Sequence, residues 1–247
     1  MTQSTEQAKS VCNVVELRQY TLYPGQRDAL IELFDQEFVE AQEVAGMTVM
    51  GQFRDLDDAD RFVWLRGFAD MHSRQTALEA FYGGPVWQAH RISANATMID
   101  SDNVLLLRPA WPGSGVSANE LRRPLSAVGA TTSGLLDASI FYLDKPAGSE
   151  VLQFCRQAMS PCLERAGARV LGWYVTETAT NTFPRLSVRE GEHVLVGLAM
   201  FENAPAFDAW IRSENWNREV QPLIEPWLAR PTEEHRLAPT ARSAIHA

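Results

Sequence analysis

Four short stretches carry side chains whose types and spacing could do chemistry. "VVELRQY" places Glu16, Arg18 and Tyr20 two residues apart, and "FVWLRG" does the same for Trp64 and Arg66. On a β-strand, residues two apart share a face, so each set projects to one side of a sheet. "LLLRP" adds Arg108, and "GGPVWQAHR" offers Trp87, His90 and Arg91 just after a proline. Guanidinium groups beside large amphipathic aromatics suit a mostly apolar cavity that holds an anionic or carbonyl-bearing ligand. Glu16, Arg18, Tyr20, Trp64, Arg66, Trp87 and Arg108 are therefore the candidate ligand-binding residues. A competing reading uses the same residues: Glu16 paired with Arg18 or Arg66 is an internal ion-pair network that fixes how sheets pack.

His90 is the candidate catalytic residue. Pro85 suits the first turn of a helix, and the spacing of Trp87, His90 and Arg91 lets them share one helical face, with Asn95 a turn further on. A histidine beside an apolar cavity could act as a general base or ligate haem iron, because its ordinary pKa lies near neutrality. The alternative is that Trp87 docks the helix while His90 and Arg91 cap nearby carbonyls. Asp57, Asp58 and Asp60 lack calcium-loop spacing and read as turn residues. The chain has no P-loop, dinucleotide fingerprint, G-x-S-x-G or H-E-x-x-H. Neither a cofactor nor a metal is expected.

The elements that must position these residues occur twice. "EVAGMTVMGQF" from Glu43 matches "ERAGARVLGWY" from Glu164 at an offset of 121 residues, and "VELRQYTL" matches "LDASIFYL" at the same offset. Pairing Phe68 with Phe201 raises the offset to 133, which places a longer loop around "TATNTFPRLSVREGE". Each half reads strand, helix, strand, strand, helix, strand. Leu30, Leu33, Phe34, Phe38 and Ala41 give the first helix one apolar face. Asp70 suits the N-cap of the next helix, which Gly83-Gly84-Pro85 interrupts.

A βαββαβ half is a ferredoxin-like unit whose open sheet face needs cover. The expected fold is α+β, with two tandem ferredoxin-like units pairing their sheets into an α/β barrel. The expected boundaries are a disordered N-terminus over 1–13, a first unit over 14–109, a linker over 110–134, a second unit over 135–240 and a tail over 241–247. On the strand-one face of the second unit stand Asp137, Ser139 and Phe141, with no arginine. One half is thus expected to keep a site and the other to become its packing partner.

Composition narrows the partners. Hydrophobic residues make up 45% of the 247, and the formal net charge of −9 argues against a phosphate-backbone binder. The partner expected is a small molecule, with no nucleic acid and no membrane. No apolar run approaches the roughly 20 residues needed to span a bilayer, and the polar start "MTQSTEQAKSVCN" lacks a signal-peptide core. Cys12, Cys155 and Cys162 have neither metal-site nor disulfide spacing. A cytoplasmic protein with reduced thiols is expected, and homodimerisation stays open.

The blocks "VVELRQYTLYPGQ", "GMTVMGQFRDLDDADRFVWLRGFADM" and "FYGGPVWQAHRISANATMIDSDNVLLLRP" resemble the NIPSNAP family over about residues 14–109. "LRQY" keeps that family's strand-one Arg and Tyr, and "GGPVWQAHR" keeps its Trp-x-x-His-Arg spacing. The resemblance implies membership of the dimeric α/β-barrel superfamily. It implies no defined reaction, since the family has none agreed. Some eukaryotic relatives act as interaction proteins in mitochondria and autophagy, which implies an adaptor as one alternative. The wider superfamily includes cofactor-independent monooxygenases, haem-degrading enzymes and haem peroxidases. A monooxygenase-like enzyme and a haem-binding or haem-degrading protein are the other activities implied, and fold alone transfers none of them.

Overall fold

The computed structural model describes residues 12–125 and 132–247. Most of the expected disordered N-terminus, 1–13, and part of the expected linker lie outside the described residues. Each half begins with a strand rich in β-branched and aromatic residues. The first unit has β1 (Val14–Leu22), α1 (Arg27–Leu33), α2 (Val39–Val44), β2 (Thr48–Asp55), β3 (Arg61–Phe68), α3 (Met71–Gly83), α4 (Pro85–Asn95) and β4 (Met98–Pro109). The second has β5 (Leu135–Leu143), α5 (Ser149–Phe154), α6 (Ser160–Arg165), β6 (Arg169–Thr176), β7 (His193–Phe201), α7 (Ala204–Ser213), α8 (Asn215–Glu219), α9 (Gln221–Ile224) and β8 (Glu233–Pro239). Strand four starts at Met98, five residues before the apolar run at Asn103 that marks it in the sequence. Its first residues are mostly polar or exposed, so periodicity does not reveal them.

The strands close into an antiparallel barrel in the order β1-β3-β2-β8-β5-β7-β6-β4. Each half keeps the ferredoxin-like order, and two short seams join them. At one seam Phe53, Arg54 and Asp55 face Pro239, Ala238 and Leu237. At the other Leu107, Arg108 and Pro109 face Thr176, Val175 and Tyr174. The tandem ferredoxin-like barrel read from the sequence is the fold of the molecule.

Irregularities repeat at the same offset as the sequence. A π-helical turn at Phe34–Phe38 links α1 to α2, and another at Cys155–Met159 links α5 to α6, 121 residues later. A β-bulge between Val49 and Gly51 recurs between Val170 and Gly172. A Cβ on Gly51 would stand 2.6 Å from the Phe53 ring, and one on Gly172 3.0 Å from the Ser114 carbonyl oxygen. Close backbone approach thus requires glycine at 172, and the Phe53 ring occupies the Cβ space at 51.

Three apolar layers result. Val15, Leu17, Val63, Leu65, Leu105, Leu107, Leu136, Ile140, Val196 and Leu237 fill the barrel, with residues from all eight strands. The alternate residues of each half face its own helices. Tyr20, Phe62, Trp64 and Phe68 meet Leu30, Phe34, Phe38, Leu78 and Phe81 in the first half. Phe141, Trp173 and Phe201 meet Met159, Phe207 and Ile224 in the second.

Segments expected as linker and tail also take part. Leu121, Ala244 and Ile245 belong to the barrel-filling cluster, and the Thr240 amide donates to the Gln52 carbonyl at 2.9 Å. Residues 240–247 thus cap one barrel end rather than trail from it.

Candidate functional site

The polar face of β1 points away from the barrel interior, into the layer beneath the helices. Strand parity dictates this, because Val15 and Leu17 are the residues committed to the barrel core. Apolar side chains fill the barrel, so the open space beside these residues lies between sheet and helices.

Glu16 sits at the centre, fully buried between β3 and α3. Its Oε2 accepts from Arg18 Nη1 at 2.7 Å and from Arg66 Nε at 2.8 Å. Its Oε1 accepts from Arg74 Nε at 2.7 Å. Pairing explains the convergence, since Glu16 stands opposite Arg66 and Arg18 opposite Trp64. Arg74 comes from the buried stripe of α3, in step with Ala77, Leu78 and Phe81. Asp70 starts that helix as expected, its Oδ1 accepting from the Ser73 amide at 2.7 Å. Burial alone would raise the Glu16 carboxyl, but the Arg66, Arg18 and Arg74 charges outweigh it and hold it far below the usual range.

Among the described residues, Glu16 is the only carboxylate these three guanidinium groups contact. Burial pushes the Tyr20 phenol up, so the hydroxyl that accepts from Arg18 Nε at 3.0 Å stays neutral. The cluster therefore carries two positive charges in excess. The Arg18 carbon Cζ lies 5.5 Å from the Tyr20 ring centroid and 5.6 Å from that of Trp64, and the Arg66 Cζ lies 5.0 Å from the Trp64 ring. Ring quadrupoles offset part of the excess.

Beside this cluster lies a cavity of about 320 Å³. Arg18 and Tyr20 form its strand wall. Tyr82 from α3 and Trp87, Gln88, Arg91 and Asn95 from α4 form the helical wall, and Phe183, Arg185 and Leu186 close the third side. Arg91, Asn95 and Arg185 are exposed at its rim.

The candidate residues divide accordingly. Arg18, Tyr20 and Trp87 line the cavity, while Glu16, Trp64 and Arg66 stand behind them as the supporting layer. Arg108 is not part of the cluster. Arg18 is level with Val104, so Arg108 lies four residues further along β4, about 13 Å away. It is exposed near the second seam, beside Trp111 and Glu177.

His90 does not line the cavity. Its Nε2 lies 3.5 Å from Glu37 Oε2, and its ring meets Phe38 edge-on at 6.3 Å. With 3.6 residues per turn, the face holding Trp87, Gln88, Arg91 and Asn95 leaves position 90 on the flank. Haem ligation by His90 from this cavity would meet the same obstacle.

Four contributors escape the sequence reading. Arg74 had a usable signal, an arginine inside an apolar helical stripe. Tyr82 had none. Phe183 and Arg185 come from the second half, where the extra loop length is visible but not its destination.

The second half has lost the cluster. At matched offsets, Glu16 becomes Asp137, Arg18 becomes Ser139, Arg66 becomes Ala199 and Arg74 becomes Phe207. Burial, helped by the nearby Glu234 carboxylate, pushes the Asp137 carboxyl up to about 7. The Trp64 position is Gly197, whose Cβ would stand 2.6 Å from the Trp173 ring, so Trp173 fills that space.

Among the described residues no helix is long and apolar enough to cross a membrane. No group of three or more His, Cys, Asp or Glu there could hold a metal ion.

Comparison with known proteins agrees with this architecture. No curated protein matches the chain. Among solved structures, a candidate monooxygenase from Fusobacterium nucleatum is 6% identical, with 93% of each chain covered and a TM-score of 0.57. A candidate monooxygenase from Lactobacillus acidophilus is 11% identical, with 93% of this chain and 95% of that one covered and a TM-score of 0.53. At such identities the likeness is one of fold, along nearly the whole chain. A NIPSNAP family protein from Agrobacterium tumefaciens is 19% identical, with 39% of this chain and 92% of that one covered and a TM-score of 0.37. The NIPSNAP family model matches residues 15–111, the stretch that builds Glu16, Arg18, Arg66 and Arg74 into one cluster. Over those residues, the first half of the barrel, the chain is similar to the NIPSNAP family.

Proposed function

We propose that the first half of the barrel binds a small, partly apolar molecule bearing an anionic or strongly polarised carbonyl group. The observation that carries this reading is the charge imbalance beside the cavity, three buried guanidinium groups on one carboxylate. Buried charge without a partner is costly. A negative ligand group reaching Arg18 would relieve that cost, and the Tyr20, Tyr82 and Trp87 rings would take its apolar part.

The enzymatic form of this reading is oxygenation without a cofactor. Arg18 would stabilise an enolate or phenolate of the bound molecule, which itself reduces dioxygen: one oxygen atom replaces hydrogen on carbon as a carbonyl, and the other leaves as water with two hydrogens from the substrate. Two proteins of this fold described as candidate monooxygenases favour it. Among the described residues the cavity lining holds no histidine or carboxylate, so deprotonation would rest on the acidity of the ligand in the arginine field. An interaction protein without turnover is the competing reading.

Calorimetric titration with benzoate and with benzyl alcohol tests the binding site. The expected result is saturable binding of benzoate, at least tenfold tighter than the alcohol, and lost in Arg18→Met. Arg91→Ala, at the exposed rim, gives a milder loss in a protein whose fold is undisturbed. Equal affinity for acid and alcohol, or benzoate binding insensitive to both variants, would overturn it. Oxygen uptake with phenolic acids that bind then separates an oxygenase from a non-catalytic binder.

A further inference from the structure

The loop between β6 and β7 runs over sixteen residues, 177–192, where its counterpart between β2 and β3 has five, 56–60. Irregular loops of that length inside a compact domain are uncommon and tend to be functional. This one leaves the second half and lies across the first. Its ends are fastened to β4 beyond the short stretch that pairs with β6, where the Glu177 amide donates to the Leu106 carbonyl and the Arg189 amide to the Val104 carbonyl, each at 2.8 Å.

Its middle is tied to the arginine cluster. Arg74 Nη1 donates to Asn181 Oδ1 at 3.0 Å and to Thr182 Oγ1 at 3.3 Å. Thr182 Oγ1 in turn donates to the Met71 carbonyl at 3.2 Å. Asn181 Oδ1 also accepts from the Phe183 amide at 3.0 Å, and its Nδ2 donates to the Leu186 carbonyl at 2.9 Å. One asparagine thus shapes the turn and pins it to Arg74. The turn presents Phe183, stacked on Tyr82 at 5.9 Å and 25°, and Arg185, whose Cζ lies 5.0 Å from the Phe183 ring. Both line the cavity. Arg185 is exposed and forms no ion pair among the described residues.

Resting on the anion site of the first half, we infer that residues 177–192 are a lid donated in cis by the second half, and that Phe183 and Arg185 on it select a small planar aromatic acid. Flat rings on three sides (Tyr20 on the strand, Tyr82 and Trp87 on the helices, Phe183 on the loop) favour a flat ligand, because offset and edge-on ring contacts add to area burial. Arg185 adds a third guanidinium to those of Arg18 and Arg91, so the acid group is shared between floor and lid. The five-residue loop of the first half is too short to cover the second half in the same way, which leaves one lidded site per chain.

Calorimetry with salicylate and cyclohexanecarboxylate, two acids of equal charge and similar size, tests this on the full chain. Wild type should prefer salicylate at least tenfold. Phe183→Ala should erase that preference while weak, Arg18-dependent binding of both acids persists. Arg185→Gln, a change at an exposed position, should weaken both acids about tenfold without altering the unfolding midpoint. If the acids bind and require Arg18 but neither lid variant changes affinity or preference, the lid inference fails and the site reading stands. If neither acid binds the wild-type protein, both fail together.

Discussion

Glu16 shows how one buried residue can serve structure and binding together. Its carboxylate joins two strands and a helix through Arg18, Arg66 and Arg74, so losing Glu16 would leave three guanidinium charges stranded in an apolar layer. Because its folded pKa is depressed, its contribution is in place above the ordinary carboxylate range and survives mild acid. Arg66 is fully buried and does not reach the cavity. Glu16→Gln, which would leave Arg66 with no carboxylate partner, should therefore cost about 3–5 kcal/mol, the usual penalty for stranding buried charge. Arg91→Ala, on the exposed rim, should stay within about 0.5 kcal/mol. Urea unfolding of the two variants distinguishes scaffold from site, and equal costs would contradict the division drawn here. Asp137 makes the complementary case. Its carboxyl is pushed up to about 7 by burial, from 3.8 in the unfolded chain. Folding is thus opposed increasingly as pH rises from about 4 to 7, and fully above that. Asp137→Asn should raise the urea midpoint at pH 8 and change it little at pH 4. A pH-independent difference would mean that the asparagine acts through packing alone.

At the scale of elements, what was legible in the sequence follows from periodicity. Two-residue alternation on β1 separated Glu16, Arg18 and Tyr20 from Val15 and Leu17, and the structure keeps that separation. Alternation says which residues share a face but not which face is inside. That needs knowledge of which apolar set the barrel claims, and Val15 and Leu17 are as apolar as a helix-covered face would be. The duplication was legible because bulges and π-helical turns fix spacing as firmly as side chains do, which preserved the offset of 121. His90 lies off the cavity for a geometric reason. A face drawn through positions 87, 90 and 91 is as regular as one through 87, 88, 91 and 95, and only packing on Phe38 chooses between them. The lid was visible as surplus length alone, since nothing local in "TATNTFPRLSVREGE" says that Phe183 will stack on Tyr82.

The whole molecule depends on two short seams, and one is fastened by a charge clip. His235 on β8 is buried, with Nδ1 2.9 Å from Asp55 Oδ2 on β2 and Nε2 2.9 Å from Glu233 Oε1. Glu233 also receives the Tyr142 hydroxyl, to which Arg189 Nη2 donates at 3.1 Å, so the clip runs on into the end of the lid. Burial would push the His235 imidazole down, but the hydrogen bonds to Asp55 and Glu233 outweigh it and raise it to about 9. The sign follows from the unfolded value of 6.5: the clip stabilises fully below that pH and is lost as pH rises through about 9. The effect should be on the order of 2–3 kcal/mol at most, a sizeable part of the stability of an ordinary domain. Unfolding free energy measured from pH 6 to 10 should therefore fall across that window. In His235→Gln, which has no proton to lose, the fall should flatten while Asp55 and Glu233 keep a neutral hydrogen-bonding neighbour. Tyr142, Arg189 and Arg236 remain in both proteins, so the difference between the two curves isolates the imidazole. Parallel curves would show that the halves are held at this seam by strand pairing and apolar burial alone.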